Sequence, residues 1–315
     1  MRIWRTLDDV PGDLGRTVVV IGNFDGVHLG HRHVVARARE VADQDGLRLV
    51  AVTFDPHPMA VLRPEHAPSM LSHVDDRAAL LVEAGADDVL ALPFSRETAA
   101  WTPEEFIERV LVDALRASAV VVGANFRFGN RAAGDVATLV ESGRRHGFTV
   151  EGIPLEGGPQ VWSSTYVRTC LAAGDVEGAA EALGRPYAVR GQVVEGDRRG
   201  RELGYPTANV PPADFAVPAD GVYAGQLRVR AATDDGWCAP LPAAISVGTN
   251  PTFVGERARR VEAYVLDRED LDLYGQVVEI SFVARIRGMV RFDSVDDLVA
   301  RMAEDVEQAR TLLAG

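Results

Sequence analysis

Strand-like and helix-like segments alternate along the first 154 residues, and this alternation constrains the fold more than any other feature of the chain. Apolar runs of strand length occupy residues 17–21, 47–54, 88–92, 119–122 and 149–154. Segments with the apolar spacing of helices lie between them, at 30–44, 75–84, 102–115 and 134–146. The third of these opens with Thr102-Pro103, a capping residue followed by proline at the first helical position. Such strand–helix alternation predicts a doubly wound, Rossmann-like parallel sheet with helices on both faces.

The pattern changes near residue 185. After a helical stretch at 176–183, strand-like runs follow one another without helices between them, at 187–195, 222–229, 243–247, 261–266 and 277–284. Glycine and proline turns separate these runs, which is typical of an antiparallel β-barrel or sandwich, and we expect the barrel. A terminal helix is expected at 294–313, because Ser294 can cap it. The 315 residues therefore divide into an α/β domain at 1–185 and a barrel domain at 186–315.

Composition excludes several classes of protein. The formal charge of −13 argues against nucleic acid or an anionic membrane as a partner, but a local arginine cluster can still bind an anionic small molecule. We expect neither a signal peptide nor a membrane span, because no apolar stretch has the required length. The two cysteines, Cys170 and Cys238, lack metal-binding spacing and favour a reducing, cytoplasmic location. A homo-oligomer is left open.

Residues 18–33, VVVIGNFDGVHLGHRH, predict a buried strand that runs through a tight turn into a helix. This places His28 and His31 at the carboxyl end of a parallel strand, where α/β sheets bind ligands. The two histidines are three residues apart and so face one side of a helix. Gly30 between them removes a Cβ that would obstruct a close ligand. Backbone N–H groups, a helix N-terminus and imidazoles together form a phosphate site.

The chain contains no lysine, so every basic residue other than histidine is an arginine. The lysine-bearing P-loop and all lysine Schiff-base mechanisms are thereby excluded. Two alternatives to a phosphate site remain for this segment: a zinc site that recruits His33 and His57, and a purely structural turn. A nucleotide-phosphate clamp is favoured over zinc, because no cysteine or carboxylate lies at ligand spacing.

Two further segments of the first domain carry polar groups beside a predicted element. Residues 162–168, WSSTYVR, place hydroxyls and Arg168 at a helix start, which suits phosphate but is also an ordinary capping sequence. Residues 123–129, GANFRFG, follow a strand and place aromatic rings beside an amide. Such rings can stack on a planar ligand or simply pack in the core.

In the second domain, residues 196–209 read GDRRGRELGYPTAN. Thr207 and Asn209 are two residues apart, so in an extended segment their side chains point the same way. Hydroxyl and amide oxygens are hard ligands suited to Mg²⁺ that is also held by ATP phosphates. Taken alone, the PTAN residues 206–209 favour a simple turn over a metal site.

Together these segments resemble one family over nearly the whole chain. Residues 22–31, 126–129 and 163–168 resemble the flavin adenylyltransferase module of the bifunctional riboflavin kinase/FAD synthetases, in which an aspartate often stands where this chain has Asn125. The PTAN segment at 206–209 resembles the riboflavin kinase module, and so do 221–223, 246–253, 261–262 and 272–275. The His-x-Gly-His signature is shared by nucleotidyltransferases generally, so it indicates the reaction class only.

The resemblance implies that the barrel phosphorylates riboflavin to FMN and that the α/β domain transfers an adenylyl group from ATP to FMN. It implies that the catalytic residues are Glu262, His28 and His31. It implies that ATP contacts Gly22, Phe24, Gly30, Asn125, Ser164, Thr165 and Arg168 in the first domain, and that flavin contacts Phe54 and Phe128. In the kinase it implies ATP contacts at Gly196, Arg198, Gly200, Thr207 and Asn209, with Mg²⁺ on Thr207 and Asn209.

The two reactions differ in their need for a base. The 5′-hydroxyl of riboflavin must lose a proton, so a positioned carboxylate such as Glu262 is required. The phosphate of FMN is already ionised, so adenylyl transfer needs only positioning and charge stabilisation. Two alternatives stay open: a nucleotidyltransferase for another phosphorylated substrate, and a non-enzymatic flavin-binding regulator.

Overall fold

The computed structural model describes residues 2–154, 162–196, 203–231, 236–248, 259–268 and 270–314. The chain forms two compact units, Met1–Ser164 and Thr165–Gly315. The boundary near residue 185 stays a prediction.

The first unit alternates strands with helices, as the sequence predicts. Its strands are β1 (Ile3–Trp4), β2 (Thr17–Ile21), β3 (Arg48–Asp55), β4 (Asp88–Pro93), β5 (Ala117–Gly123) and β6 (Thr149–Ile153). Its helices are α1 (Leu29–Asp45), α2 (Pro58–Leu62), α3 (Val74–Glu83), α4 (Arg96–Ala100), α5 (Pro103–Phe106), which continues as a π-helix (Ile107–Ala114), and α6 (Val136–His146). Short 3-10 turns lie at Leu7–Asp9, Pro64–His66 and Asn130–Ala132.

The six strands form one parallel sheet in the order β1-β4-β3-β2-β5-β6, which confirms the doubly wound fold. All five residues of β2 are buried. Val19 and Ile21 pack into the core on the side of α5 and α6, whereas Val18 and Val20 pack against α1 and α3. From β2 the chain first builds β3 and β4 on one side and then β5 and β6 on the other. Ligands of such sheets bind where the winding direction changes, beyond the carboxyl ends of β2 and β5.

Capping residues set where two of the predicted helices begin. Thr102 Oγ1 accepts from Glu105 N at 3.2 Å, and Thr102 N donates to Glu105 Oε2 at 2.7 Å, which confirms the predicted start. The helix expected from residue 134 begins two residues later, because Asp135 caps it by accepting from Thr138 N at 2.9 Å. The two-residue strand β1 was not predicted, since it is too short to show a period.

The second unit begins with helices α7 (Ser164–Ala173), whose first residue belongs to the first unit, and α8 (Val176–Leu183), and strands follow them. The strands are β7 (Tyr187–Gln192), β8 (Ala208–Val210), β9 (Gly221–Val229), β10 (Leu241–Gly248), β11 (Arg260–Val265) and β12 (Val277–Gly288). The unit ends with helix α9 (Val295–Leu313).

These strands pair antiparallel in the order β7-β12-β9-β10-β11-β8. Val194 N donates to Asn209 O at 2.9 Å between the two ends of this sheet, so the barrel is nearly closed and the prediction is confirmed. Inside it the rings of Tyr223 and Phe282 meet edge to face, 5.5 Å apart. Ser294 caps α9, as expected, by accepting from Asp297 N at 3.1 Å. The helix packs on the outer face of the barrel through a core that includes Ala309.

Candidate functional site

His28 and His31 lie together at the N-terminus of α1. His28 caps the helix, because its Nδ1 accepts from His31 N at 3.3 Å, and the two rings stack with centroids 3.6 Å apart. A Cβ on Gly30 would lie 3.2 Å from the His28 ring and 3.3 Å from Trp162 O. Glycine at this position therefore allows the ring of His28 to fold back over the first turn of the helix.

His31 is held as a neutral imidazole. Burial, and next the proximity of His28 and of the Arg77 cation, holds the pKa of His31 well below its usual range. Its Nδ1 is buried and has no hydrogen-bond partner among the described residues. Buried polar atoms are nearly always paired, so this nitrogen is available to a ligand. The ring of Phe24 is itself buried and meets the His31 ring edge-on at 5.2 Å.

The loop between β2 and α1 rests on a carboxylate that the sequence analysis did not select. Asp25 is 1% exposed and accepts hydrogen bonds from Leu71 N at 3.0 Å and Ser72 N at 3.2 Å. Ser72 Oγ in turn accepts from Gly26 N at 3.0 Å. Asp25 stands inside the quoted motif, so its position was a signal. Nothing in the sequence pointed to its partners around residue 71.

Ser164, the first residue of α7, also touches this loop, because its hydroxyl donates to Asp25 O at 2.9 Å. Thr165 and Arg168 follow on α7 within the second unit, where Thr165 is exposed and Arg168 is half-buried. The buried face of that helix is formed by Val167 and its neighbours one turn further on.

A cavity of about 810 Å³ lies in the first unit beside this loop. Four of the predicted residues line it: Gly22, Phe54, Asn125 and Phe128. Gly22 directly follows β2, and Asn125 lies two residues beyond β5, so the cavity lies at the change of winding direction. Three aromatic residues that the sequence analysis missed also line it, Phe94, Trp101 and Phe106, together with Phe126 from the predicted aromatic segment. Phe126 and Phe128 stack with their ring centroids 5.5 Å apart, so an aromatic pair forms part of the wall.

The charged groups on the cavity wall are all cationic. Arg63, Arg127 and Arg131 line it, and no carboxylate does so among the described residues. Arg127 pairs with Asp135 at 3.2 Å. Arg131 is exposed and held with a left-handed backbone at φ 54°, a conformation that costs energy in a non-glycine residue. The wall therefore suits a planar aromatic ligand that carries an anionic group.

The second candidate site lies on the outer face of the barrel. Glu262 on β11 stands directly opposite Asn209 on β8 and Ser246 on β10. Its neighbours Val261 and Ala263 point into the buried core, so Glu262 points away from it. Residues opposite each other in an antiparallel pair share a face, so Glu262 and Asn209 lie side by side.

Thr207 and Gly196 complete this cluster. Asn209 is 6% exposed, and its Nδ2 donates to Thr207 O at 3.3 Å and to Thr207 Oγ1 at 3.5 Å. A Cβ on Gly196 would lie only 2.6 Å from Asn209 Nδ2, so any larger residue there would displace the Asn209 amide. Predicted residues Arg198 and Gly200 lie outside the described residues. The structure thus brings together Gly196, Thr207, Asn209 and Glu262, which are scattered in the sequence.

One group of three metal-type ligands occurs in the described part of the chain, and it lies elsewhere. Ligand atoms of Glu104, Glu108 and His146 lie within 4.8 Å of one another. The Glu104 carboxylate is already paired with Arg145 at 2.9 Å and with His146 at 3.2 Å. The motif histidines form no such group within the residues described.

Among the described residues, no helix is both long enough and apolar enough to cross a membrane.

Comparison with known proteins agrees with this geometry. The family model for FAD synthetase matches residues 11–165, and the model for riboflavin kinase matches residues 183–313. The chain is 38% identical to the bifunctional riboflavin kinase/FMN adenylyltransferase of Escherichia coli K12, covering 93% of this chain and 91% of that protein. It is 36% identical to the protein of the same name from Pseudomonas fluorescens, covering 100% and 98%. The chain belongs to the bifunctional riboflavin kinase/FMN adenylyltransferase family.

A solved structure described as a macrolide-efflux protein from Streptococcus pneumoniae is also similar. It matches with a TM-score of 0.84 and 32% identity over 98% of each chain. The likeness therefore extends over both units.

Proposed function

We propose that the chain makes FAD from riboflavin in two steps, one in each unit. The barrel transfers the γ-phosphoryl group of ATP to riboflavin, and the α/β unit transfers the adenylyl group of a second ATP to the FMN so formed, releasing pyrophosphate. One observation carries the proposal: an aromatic, arginine-lined cavity adjoins Gly22 at the start of the loop that leads to His28 in one unit, and a carboxylate stands opposite Asn209 in the other. Family membership supports both steps.

For adenylyl transfer, the unit must hold two phosphate-bearing molecules in line. The His28–His31 turn and the first backbone N–H groups of α1 receive the triphosphate of ATP, and the unpaired Nδ1 of His31 is part of that donor set. An ionised oxygen of the FMN phosphate attacks the α-phosphorus, and the bond from that phosphorus to pyrophosphate breaks. No base is needed, so catalysis depends on positioning and on stabilising the leaving charge.

The flavin ring occupies the aromatic cavity in this proposal. Phe54 and Phe128 contact it, and Arg131 on the rim attracts the phosphate that distinguishes FMN from riboflavin. Asn125 on the same wall supplies an amide in place of a carboxylate. Gly22, Gly30 and Ser164 shape the nucleotide loop, and Phe24 supports the ring of His31. Thr165 and Arg168 are kept as ATP contacts on the resemblance alone.

For riboflavin phosphorylation, Glu262 accepts the proton of the 5′-hydroxyl as that oxygen attacks the γ-phosphorus of ATP. Thr207 Oγ1 and the amide oxygen of Asn209 would hold Mg²⁺, since both are hard oxygen donors and the Asn209 amide nitrogen is turned toward Thr207. When bound, the ion would neutralise charge on the ATP phosphates. Gly196 leaves room for the amide, and Arg198 and Gly200 are assigned to ATP on the resemblance alone.

We place both reactions in the cytoplasm, where ATP is available and where thiols stay reduced. The two cysteines are free in the structure, which is compatible with that compartment.

The test is incubation of the chain with riboflavin, ATP and Mg²⁺, followed by chromatographic separation of the flavins. We expect FMN first and FAD after it. A nucleotidyltransferase for another substrate would leave riboflavin unchanged, and a non-enzymatic regulator would bind flavin without consuming ATP. Absence of any ATP-dependent flavin product from folded protein would refute the proposal.

Two variants assign the steps to the two units. Glu262→Gln keeps the shape of the side chain but removes the base. Added riboflavin should therefore stay unconverted, while supplied FMN is still converted to FAD. Combined His28→Ala and His31→Ala should stop the sequence at FMN. If either folded variant lost both activities, the assignment of one reaction to each unit would be wrong.

A further inference from the structure

We propose that Arg77 and Asp25 form a buried ion pair whose task is to position the nucleotide loop, residues 22–28, for adenylyl transfer. The inference rests on the proposed function of the first unit. Arg77 lies in the first turns of α3, and its side chain is among the largest fully buried ones in the described structure, at 1% exposure. A buried guanidinium is costly unless it is paired and hydrogen-bonded.

Arg77 connects three separate segments of backbone. Its Nη1 donates to Thr53 Oγ1 and to Phe54 O, both at 3.0 Å, and its Nη2 donates to Ser72 O at 3.4 Å. The Nη2 atom also lies 4.0 Å from the Asp25 carboxylate. The carboxyl end of β3 and the segment before α3 are thereby fixed to one planar cation.

The nucleotide loop is attached to this cation at two points. Thr53 Oγ1, which accepts from Arg77, donates in turn to Asn23 O at 2.9 Å. Asp25 accepts from the backbone N–H groups of Leu71 and Ser72, so its carboxylate joins the loop to the segment that Arg77 also binds. The bonds that Asp25 accepts and the bond that Arg77 donates to Thr53 each involve a charged group, and such hydrogen bonds are stronger than neutral ones.

The loop needs such support because its backbone is strained. Phe24 has φ 50° and Val27 has φ 41°, and both are residues with a Cβ for which left-handed conformations are unfavourable. Strained residues persist only where their surroundings over-determine them, and they are concentrated at functional sites. His28 immediately follows Val27, so any relaxation of the loop would displace the imidazole that caps α1.

If Arg77 and Asp25 position the loop, then a variant can lose the geometry of the loop and still keep the stability of the fold. Arg77→Met or Asp25→Asn alone removes one charge of a buried pair and should lower the unfolding temperature. The double variant restores charge balance, so its unfolding temperature should return toward the native value. Its kcat for FAD formation should nevertheless stay about 10²-fold low, because a displacement near 1 Å costs that much. The KM for FMN should change far less than kcat.

A milder variant tests the same link without touching a charge. Thr53→Val keeps the buried volume but cuts the relay from Arg77 to Asn23, so kcat for FAD formation should fall about tenfold, the ratio that one lost hydrogen bond can produce. Thr17→Val is the matched control. Thr17 is also 0% exposed, and its hydroxyl donates to Leu115 O at 2.6 Å at the amino end of β2, away from the loop. The control should lose stability but not activity.

Formation of FMN from riboflavin in the same samples reports that the protein is active. The inference is overturned if the double variant regains native kcat together with native stability, or if Thr53→Val is no worse in FAD formation than Thr17→Val. It is supported if stability recovers while kcat does not, with Arg77→Lys giving partial rescue. Native protein that formed no FAD would instead overturn the proposed function itself.

Discussion

Replacing Gly196 by alanine is the sharpest single perturbation of the kinase site. The added Cβ would lie 2.6 Å from Asn209 Nδ2 and 2.7 Å from its Cγ and Oδ1. The glycine cannot move away easily, because Val194, two residues earlier, donates its N–H to Asn209 O at 2.9 Å. The side chain of Asn209 must therefore give way.

The size of the effect follows from that overlap. Ordinary contact begins near 3.4 Å, so the amide must move by about 0.8 Å. The movement breaks the contacts from Asn209 Nδ2 to Thr207 and changes the relation of the amide to Glu262, which stands opposite it. A misplacement of this size costs about 10²-fold in rate, or about 2.7 kcal/mol of transition-state stabilisation.

The assay follows FMN formation from riboflavin with Mg²⁺ and ATP, and FAD formation from supplied FMN in a parallel reaction. We expect Gly196→Ala to slow only the first reaction. Gly288→Ala is the control in the same unit, because the nearest atom to its added Cβ is the end of a flexible arginine at 3.8 Å. Native rates of FMN formation in folded Gly196→Ala would refute the proposal that the Asn209 amide must be held in place.

Three further predictions concern other parts of the chain. Arg131→Ala should raise the KM for FMN and weaken discrimination against riboflavin. Arg144 on α6 is 75% exposed, so Arg144→Ala should change neither quantity. Steady-state kinetics with both flavins measures the two effects. The pKa of His31 in the folded protein lies below its value of about 6.5 in the unfolded chain. The contribution of the neutral ring to stability is therefore full above that pH and is lost as the pH falls. The unfolding temperature of His31→Gln should consequently fall less on acidification than that of the native protein. Asp305→Ala removes the carboxylate that binds the half-buried Arg287 on β12 through two hydrogen bonds, and it should cost about 3 kcal/mol in denaturant unfolding. The exposed pair of Glu304 should be worth less than about 1 kcal/mol in the same measurement.

Local signals in the sequence predicted those features that depend on local physics. Apolar periodicity located the strands of both units, and capping residues such as Thr102 and Ser294 located helix starts. The His28–His31 turn could be predicted for the same reason, since a strand, a turn and a helix start are adjacent in the chain. The short strands β1 and β8 were not predicted, because two or three residues are too few to show the alternation of apolar and polar residues.

Features that depend on pairing between distant segments could not be predicted in this way. Alternation along β11 could not say which way Glu262 faces; the register with β8 decides it by placing Asn209 opposite. Arg77 looked like one more charged helical residue, and only the fold buries it beneath the nucleotide loop. The aromatic wall likewise gathers Phe54 from β3, Trp101 from the connection between β4 and β5, and Phe128 from the connection between β5 and β6.

The two proposed sites differ in the charge of their side chains, and this difference matches the needs of their nucleophiles. A hydroxyl must be deprotonated as it attacks, and Glu262, the base that we propose, stands opposite Asn209 in the barrel. A phosphate arrives as an anion, and a carboxylate near it would repel it. The described lining of the α/β cavity has arginines and no carboxylate, and Asn125 supplies a neutral amide there. Asn125→Asp would add a negative charge to that wall, so by this argument it should weaken FMN binding unless a cation compensates; titrating the flavin with and without Mg²⁺ distinguishes the two cases.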